Sequence, residues 1–97
     1  MTQKVIMARL KAVSGRRSEL LSVLRAHAKR CLEGELGTLQ FDLLCPDGDL
    51  DTVLIYERYK DKAAMDAHSN GESIKQARRE FDGLVETTTA EFCDIAD

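Results

Sequence analysis

One strand-like segment constrains the fold of this chain more than any other. Residues 52–59 read TVLIYERY, with four consecutive apolar side chains from Val53 to Tyr56. Neighbouring side chains of a strand point to opposite faces of the sheet, so such a run needs cover on both faces. The 97 residues suit one domain, and they leave enough chain for only one layer of helices. We therefore expect helices on one face of the sheet and a second copy of the chain, in a homodimer, on the other.

Hydrophobic periodicity divides the rest of the chain into strands and helices. Alternating or β-branched patterns predict strands at 4–13, 38–45, 52–59 and 85–95, and helical spacing predicts helices at 17–33, 62–69 and 72–83. Asp61 is a suitable N-cap for the second helix. The order is β-α-β-β-α-β with the second helical region split. It predicts an α+β fold of the ferredoxin-like split β-α-β type, in which a single domain, 1–97, has a four-stranded antiparallel sheet with helices on one face.

Composition excludes several classes of function. The net charge is −3 and both signs are interspersed, so no basic face for nucleic acid is expected. The apolar runs are too short to span a membrane and the N-terminus lacks a signal-peptide pattern, which predicts a cytoplasmic protein. Cys31, Cys45 and Cys93 have no metal-type spacing. We therefore expect no metal site and reduced thiols, two of them buried.

Motifs for phosphate loops, nucleotide binding and nucleophile elbows are missing from the sequence, and its carboxylates are scattered without an evident acid–base pair. Two histidines remain as candidate catalytic residues. His68 shares a helix face with Ala64 and Met65, and His27 lies at the edge of the first helix's apolar stripe, four residues before Cys31. Each is either a packed histidine with one satisfied hydrogen bond or a base at the wall of a cavity, since neutral imidazole accepts protons near pH 7. Whether the two share one cavity depends on how the helices pack.

Three further side chains are candidates for substrate binding. Tyr56 and Tyr59 lie on opposite faces of one strand, and either hydroxyl can orient a bound ring or simply pack. Arg78 lies on the apolar side of the last predicted helix, where its guanidinium can bind an anionic oxygen, although most such arginines extend to solvent. Met65 adds to an apolar lining.

Three stretches of the sequence, GTLQFDLL, YERYKD and AAMDAH, resemble the antibiotic biosynthesis monooxygenase family, which includes quinol monooxygenases and autoinducer-processing isomerases. The resemblance implies a homodimer whose sheets meet in a dimeric α+β barrel. It implies oxidation of a small phenolic or quinol compound by molecular oxygen without flavin, haem or metal. In that case His68 and His27 are catalytic, and Tyr56, Arg78 and Met65 bind a small aromatic substrate.

Other functions on the same fold stay open. The resemblance also covers an isomerase or a small-molecule binding protein, and a non-enzymatic stress or regulatory dimer is a further alternative. One branch of the superfamily cleaves haem with an Asn, a Trp and a His around the iron. This sequence contains no Trp, and His68 and Arg78 stand about where that branch has its Trp and its proximal His. The resemblance therefore disfavours haem cleavage.

Overall fold

A computed structural model describes residues 2–96 and places four strands and three helices in that range. The strands are β1 (Lys4–Ala12), β2 (Thr38–Leu44), β3 (Thr52–Tyr59) and β4 (Val85–Asp94), and the helices are α1 (Arg17–Gly34), α2 (Lys62–Ser69) and α3 (Glu72–Glu80). The predicted element order, including the split helical region, is confirmed. The third helix ends at Glu80, three residues earlier than expected. A turn follows it, in which the Leu84 amide donates to the Phe81 carbonyl (2.9 Å) and Gly83 takes a φ of 81°.

The four strands form one antiparallel sheet in the order β2-β3-β1-β4. At its centre, Met7 of β1 lies opposite Tyr56 of β3 and Glu91 of β4. The helices pack on one face of this sheet, where the main buried cluster includes Leu10, Ala12, Leu20, Leu24, Cys31, Phe41, Val53 and Ile55. The predicted ferredoxin-like α+β fold is confirmed.

The opposite face of the sheet carries no layer formed by residues 2–96. Leu54 and Tyr56 are half-buried there, and Met7 and Leu44 are 51% and 50% exposed. Val53 and Ile55, which alternate with them along β3, are buried beneath the helices. The apolar run in β3 thus has cover on one face from its own chain, and the homodimer stays a prediction.

The position of α2 is set by two local features. The Asp61 side chain accepts a hydrogen bond from the Ala64 amide (2.8 Å), so the predicted N-cap is confirmed. Gly37, just before β2, packs so closely on α2 that a Cβ there would overlap the Cβ of Ala64. These contacts fix the helix that carries His68 against the end of the sheet.

Only Cys31 of the three cysteines is buried, so the expectation of two buried thiols is wrong. Cys45 follows β2 in an exposed loop, and Cys93 is half-buried near the end of β4, a strand whose side chains are mostly exposed. None of the helices in residues 2–96 combines the length and the hydrophobicity that crossing a membrane requires.

Candidate active site

His27 and His68 line the same cavity, which lies between the helices and the sheet. Their ring centroids are 5.6 Å apart, and the residues are only 2% and 3% exposed. His27 comes from the middle of α1 and His68 from the last turn of α2. The structure therefore brings together the two histidines that the sequence left unconnected.

The cavity has a volume of about 150 Å³ and a mostly apolar wall. Its apolar lining includes Ile6, Ala8, Leu24, Phe41, Ile55, Ile74 and Phe81. It opens along β4, because the lining residues Thr88, Ala90 and Phe92 are exposed. A cavity of this size in another protein binds benzene, so this one suits a single aromatic ring.

His68 lies between two carboxylates. Its Nδ1 atom is 2.8 Å from Oε1 of Glu35, and its Nε2 atom is 3.4 Å from Oε1 of Glu57. An ionised carboxylate only accepts hydrogen bonds, so Glu35 favours the tautomer with the proton on Nδ1. The lone pair of Nε2 is then free to accept a proton. Each nitrogen of the His68 ring thus has a carboxyl group beside it.

Glu57 is a buried carboxyl group at the wall of the cavity, 6% exposed. Burial raises the pKa of Glu57 above its usual range, because the charged form loses its hydration. The Tyr59 hydroxyl donates to Oε1 of Glu57 (2.5 Å) and opposes that shift. The environment therefore makes Glu57, beside His68, a weaker acid than an exposed glutamate.

Glu35 and Glu57, which flank His68, were not among the candidate residues that the sequence suggested. The signal for Glu57 was present in β3. Val53, Ile55, Glu57 and Tyr59 alternate with the half-buried residues, so Glu57 is the one charged member of a buried face. Glu35 gave no comparable signal, because it follows α1 in the chain and meets His68 only through tertiary packing.

His27 has an environment unlike that of His68. Burial, reinforced by the charges of His68 and Arg30, lowers the pKa of His27 to about 4. Its ring packs edge-on against Phe41, with centroids 5.3 Å apart. His27 is therefore neutral at neutral pH and is a weak base.

Cys31 lies directly beside both imidazoles. Its Sγ atom is 3.6 Å from each ring nitrogen of His27 and 3.7 Å from Nδ1 of His68. Burial, followed by the negative charge of Glu35, raises the pKa of the Cys31 thiol. The thiol is therefore protonated at neutral pH.

The three predicted substrate-binding residues are separated in the structure. Arg78 is exposed at the mouth of the cavity. Tyr56 lies on the uncovered face of the sheet, away from the cavity, because it alternates with the inward-facing Ile55 and Glu57. Met65 is buried against Ile6 and Tyr59 and is outside the cavity lining. Tyr59 is the inward-facing tyrosine, with its ring centroid 5.3 Å from that of His68.

Comparison with known proteins gives one family match and several similar folds. The model of a family described as antibiotic biosynthesis monooxygenase matches residues 5–80. No protein of curated function matches the chain significantly.

Three solved structures illustrate the similarity in fold. Protein SO0527 from Shewanella oneidensis has a TM-score of 0.89 at 22% identity, over 97% of this chain and 91% of that one. PA3566 from Pseudomonas aeruginosa has a TM-score of 0.88 at 25% identity, over 100% and 97%. A candidate antibiotic biosynthesis monooxygenase from Caulobacter crescentus has a TM-score of 0.90 at 18% identity, over 99% and 92%.

Proposed function

Because the chain belongs to the antibiotic biosynthesis monooxygenase family, we propose that it is a cofactor-independent monooxygenase of the quinol monooxygenase type, acting on a small phenol or hydroquinone. One observation carries the proposal. His68, flanked by Glu35 and Glu57, lines an apolar cavity of about 150 Å³. A base and a dry pocket of one-ring size are the two things that such a reaction needs from the protein.

His68 is the base in this proposal. Nε2 takes the proton of the ring hydroxyl while Nδ1 keeps its hydrogen bond to Glu35 (2.8 Å). The carboxylates of Glu35 and Glu57 stabilise the imidazolium, which lowers the cost of forming an ion pair in an apolar cavity. His27, with a pKa of about 4, is too weak a base for a phenol of pKa about 10. We assign it to the cavity wall beside the reacting ring.

The substrate supplies the electrons in this reaction. A deprotonated hydroquinone is electron-rich enough to reduce molecular oxygen. Addition of oxygen to a ring carbon and loss of water convert a hydroquinone and O₂ into a hydroxyquinone and H₂O. The apolar wall keeps bulk water from the anion. Arg78, at the mouth of the cavity, offers a guanidinium to the anionic oxygen.

Oxygen uptake with a panel of one-ring and two-ring hydroquinones tests the proposal. We expect wild type to consume oxygen with a one-ring substrate. The His68→Ala variant should lose about 100-fold or more in kcat, since general base catalysis contributes about that much, and His27→Ala should retain more activity than His68→Ala. Lys29→Ala, which alters an exposed residue of the same helix as His27, is the control. If His68→Ala equals wild type on every active substrate, the assignment of the base is wrong.

An isomerase is the second candidate, and Glu57 is the observation that favours it. A carboxyl group with a raised pKa lies 3.4 Å from an imidazole, so in its protonated form Glu57 would place a proton donor beside a proton acceptor. Such a pair can move a proton between two positions of a ring or carbonyl compound without consuming oxygen. Turnover under strictly anaerobic conditions favours this reaction, and dependence on oxygen favours the monooxygenase.

A homodimer through the uncovered face of the sheet completes the proposal. Met7, Leu44, Leu54 and Tyr56 give this face an apolar centre. A second copy of the chain would cover it with an equivalent surface. Sedimentation equilibrium should give twice the chain mass for wild type and for Ala63→Asp, an exposed change on α2. It should give a monomer for Leu54→Asp, and a wild-type monomer at micromolar concentration contradicts the dimer.

A further inference from the structure

Three side chains of types that commonly bind metal ions lie together in the buried layer between α1, α2 and the sheet. His27, Cys31 and His68 each offer one ligand atom, and these atoms lie within 4.8 Å of one another. Cys31 is 0% exposed and the two histidines are almost as deeply buried. The proposed oxidation uses the two histidines of this cluster but has no use for the Cys31 thiol.

The sulfur–nitrogen distances within the cluster match those of a tetrahedral zinc site. Zn–N and Zn–S bonds of about 2.05 and 2.3 Å at a tetrahedral angle place sulfur and nitrogen about 3.6 Å apart. The Sγ atom of Cys31 is 3.6 Å from the His27 nitrogens and 3.7 Å from Nδ1 of His68. His27 and Cys31 are four residues apart on α1, so the helix holds both on one face. The sulfur is equally far from both nitrogens of His27, so binding an ion requires the two rings to rotate until one nitrogen of each points at a common centre.

Glu35 is placed to supply the fourth ligand. Its Oε1 atom is 2.8 Å from Nδ1 of His68, and its carboxylate is adjacent to the Cys31 thiol. One thiolate and one carboxylate balance the two positive charges of the ion, so the buried site is neutral. Arg30, whose charge acts on His27 and Cys31, is paired with Glu80 (3.3 Å).

Glu57 is not a ligand in this site, but it can hold one of the ligating histidines in place. When Nδ1 of His68 binds the ion, the ring proton moves to Nε2, which is 3.4 Å from Oε1 of Glu57. A carboxylate that accepts from the second nitrogen of a ligating histidine is the usual support of a zinc site. The Tyr59 hydroxyl in turn holds Glu57.

We propose that the chain binds one Zn²⁺ ion through Cys31 Sγ, His68 Nδ1 and one ring nitrogen of His27, with Glu35 as the fourth ligand. Cys31 releases its thiol proton to solvent as the sulfur–zinc bond forms. Thiolate and imidazole ligands select Zn²⁺ over Mg²⁺ or Ca²⁺, which prefer oxygen. The bound ion also places a proton on Nε2 of His68, so zinc and the proposed base function of His68 exclude each other.

Co²⁺ is the spectroscopic probe for this site, because a cobalt–thiolate bond gives a charge-transfer band and a tetrahedral ion gives intense visible bands. The first protein to test is the full chain with Cys45→Ser and Cys93→Ser, treated with chelator and thiol reductant. Both changed residues lie outside the cluster, and Cys31 is then the one thiol left. We expect one Co²⁺ per chain, a thiolate band, and displacement of cobalt by an equivalent of Zn²⁺ but not of Mg²⁺.

Cys31→Ser in the same background is the matched variant. It should lose the thiolate band and weaken Zn²⁺ binding by about 100-fold or more, since even changes outside the ligand shell cost 10–100-fold. Zn²⁺ should raise the melting temperature of the parent and not that of the variant. Circular dichroism checks that the variant is folded. If the Cys31→Ser variant is not folded, the Glu35→Gln variant replaces it in the test. We then expect weaker Zn²⁺ binding and a retained thiolate band.

Two results overturn the zinc proposal. One is the lack of a thiolate band in the protein whose only thiol is Cys31. The other is Zn²⁺ affinity that is the same in the Cys31→Ser variant, which would place the metal on surface carboxylates. Neither measurement uses an oxidisable substrate. Failure of zinc binding is therefore distinct from failure of the proposed monooxygenase activity.

Discussion

Nδ1 of His68 lies 2.8 Å from Oε1 of Glu35, a residue 33 positions away in the sequence. Glu35 directly follows α1: its backbone amide still donates to the Cys31 carbonyl (3.0 Å), and its own extended conformation directs the chain out of the helix. The Thr38 hydroxyl donates to the same carboxylate oxygen (3.1 Å) and fixes its direction. Glu35 therefore orients the ring of the proposed base.

Replacement of Glu35 by Gln tests this orienting role. Glutamine still accepts a hydrogen bond but lacks the negative charge that stabilises the imidazolium. We expect kcat for the active hydroquinone to fall about 10- to 100-fold with little change in KM, as for other groups that support a reacting histidine. Glu33→Gln, an exposed residue of α1, should match wild type. A loss confined to KM would mean that Glu35 contacts the substrate instead.

The sequence predicted the fold well and the site only in part, and the reason is the range of the contacts involved. β3 was predicted at its observed bounds, Thr52–Tyr59, because alternation and apolar runs are local signals. His68 was identified as an inward-facing residue by the same means. Glu35 was missed, because a loop carboxylate meets an imidazole only after α1 and α2 have packed. Tyr56 was chosen over Tyr59 as a substrate-binding residue, because alternation separates two faces without saying which one the helices cover.

Acid should destabilise the protein through His27. The folded chain holds the pKa of His27 at about 4, below its usual 6.5, so between these values only the unfolded chain binds the proton. The free energy of unfolding is therefore unaffected by His27 above pH 6.5 and decreases as pH falls from 6.5 toward 4. The loss is about 3 kcal/mol, since each pKa unit is about 1.4 kcal/mol.

Urea denaturation of metal-free wild type and His27→Gln at about pH 7 and about pH 4 measures this loss. The variant should lose about 3 kcal/mol less than wild type between the two conditions. Glu57 acts in the opposite direction: its pKa is raised, so the folded chain retains that proton and Glu57 costs stability as pH rises. The difference between the two proteins isolates His27. Equal pH dependence in both would show that His27 titrates normally in the folded chain.

The close approach at Gly37 should make this position intolerant of alanine. A Cβ there overlaps the Cβ of Ala64, so either α2 or the start of β2 must move. We expect Gly37→Ala to lower the free energy of unfolding by about 1–3 kcal/mol, the usual cost of overpacking. Activity should also fall, because the shifted helix carries His68.

Gly34→Ala is the matched control for this substitution. Gly34 is the last residue of α1, and a Cβ there meets nothing within 4 Å. Its effect should stay within about 1 kcal/mol, in the stabilising direction, because alanine loses less conformational entropy in a helix. Urea denaturation compares the two variants. Equal stabilities would contradict the close contact between Gly37 and α2.

Filling the cavity should abolish turnover without destabilising the fold. Ala8 lies in the cavity wall on β1, opposite Ile55 on β3 and Ala90 on β4. A leucine at Ala8 occupies part of a volume of about 150 Å³, which then no longer holds a ring. We expect kcat/KM for a one-ring hydroquinone to fall about 100-fold, while the melting temperature is unchanged or higher, since filling a void is a common stabilising change. Ala63→Leu adds the same side chain at an exposed site of α2 and should leave both quantities unchanged. Full activity in Ala8→Leu would show that the ring binds elsewhere, and the assignment of His68 as its base would then fail as well.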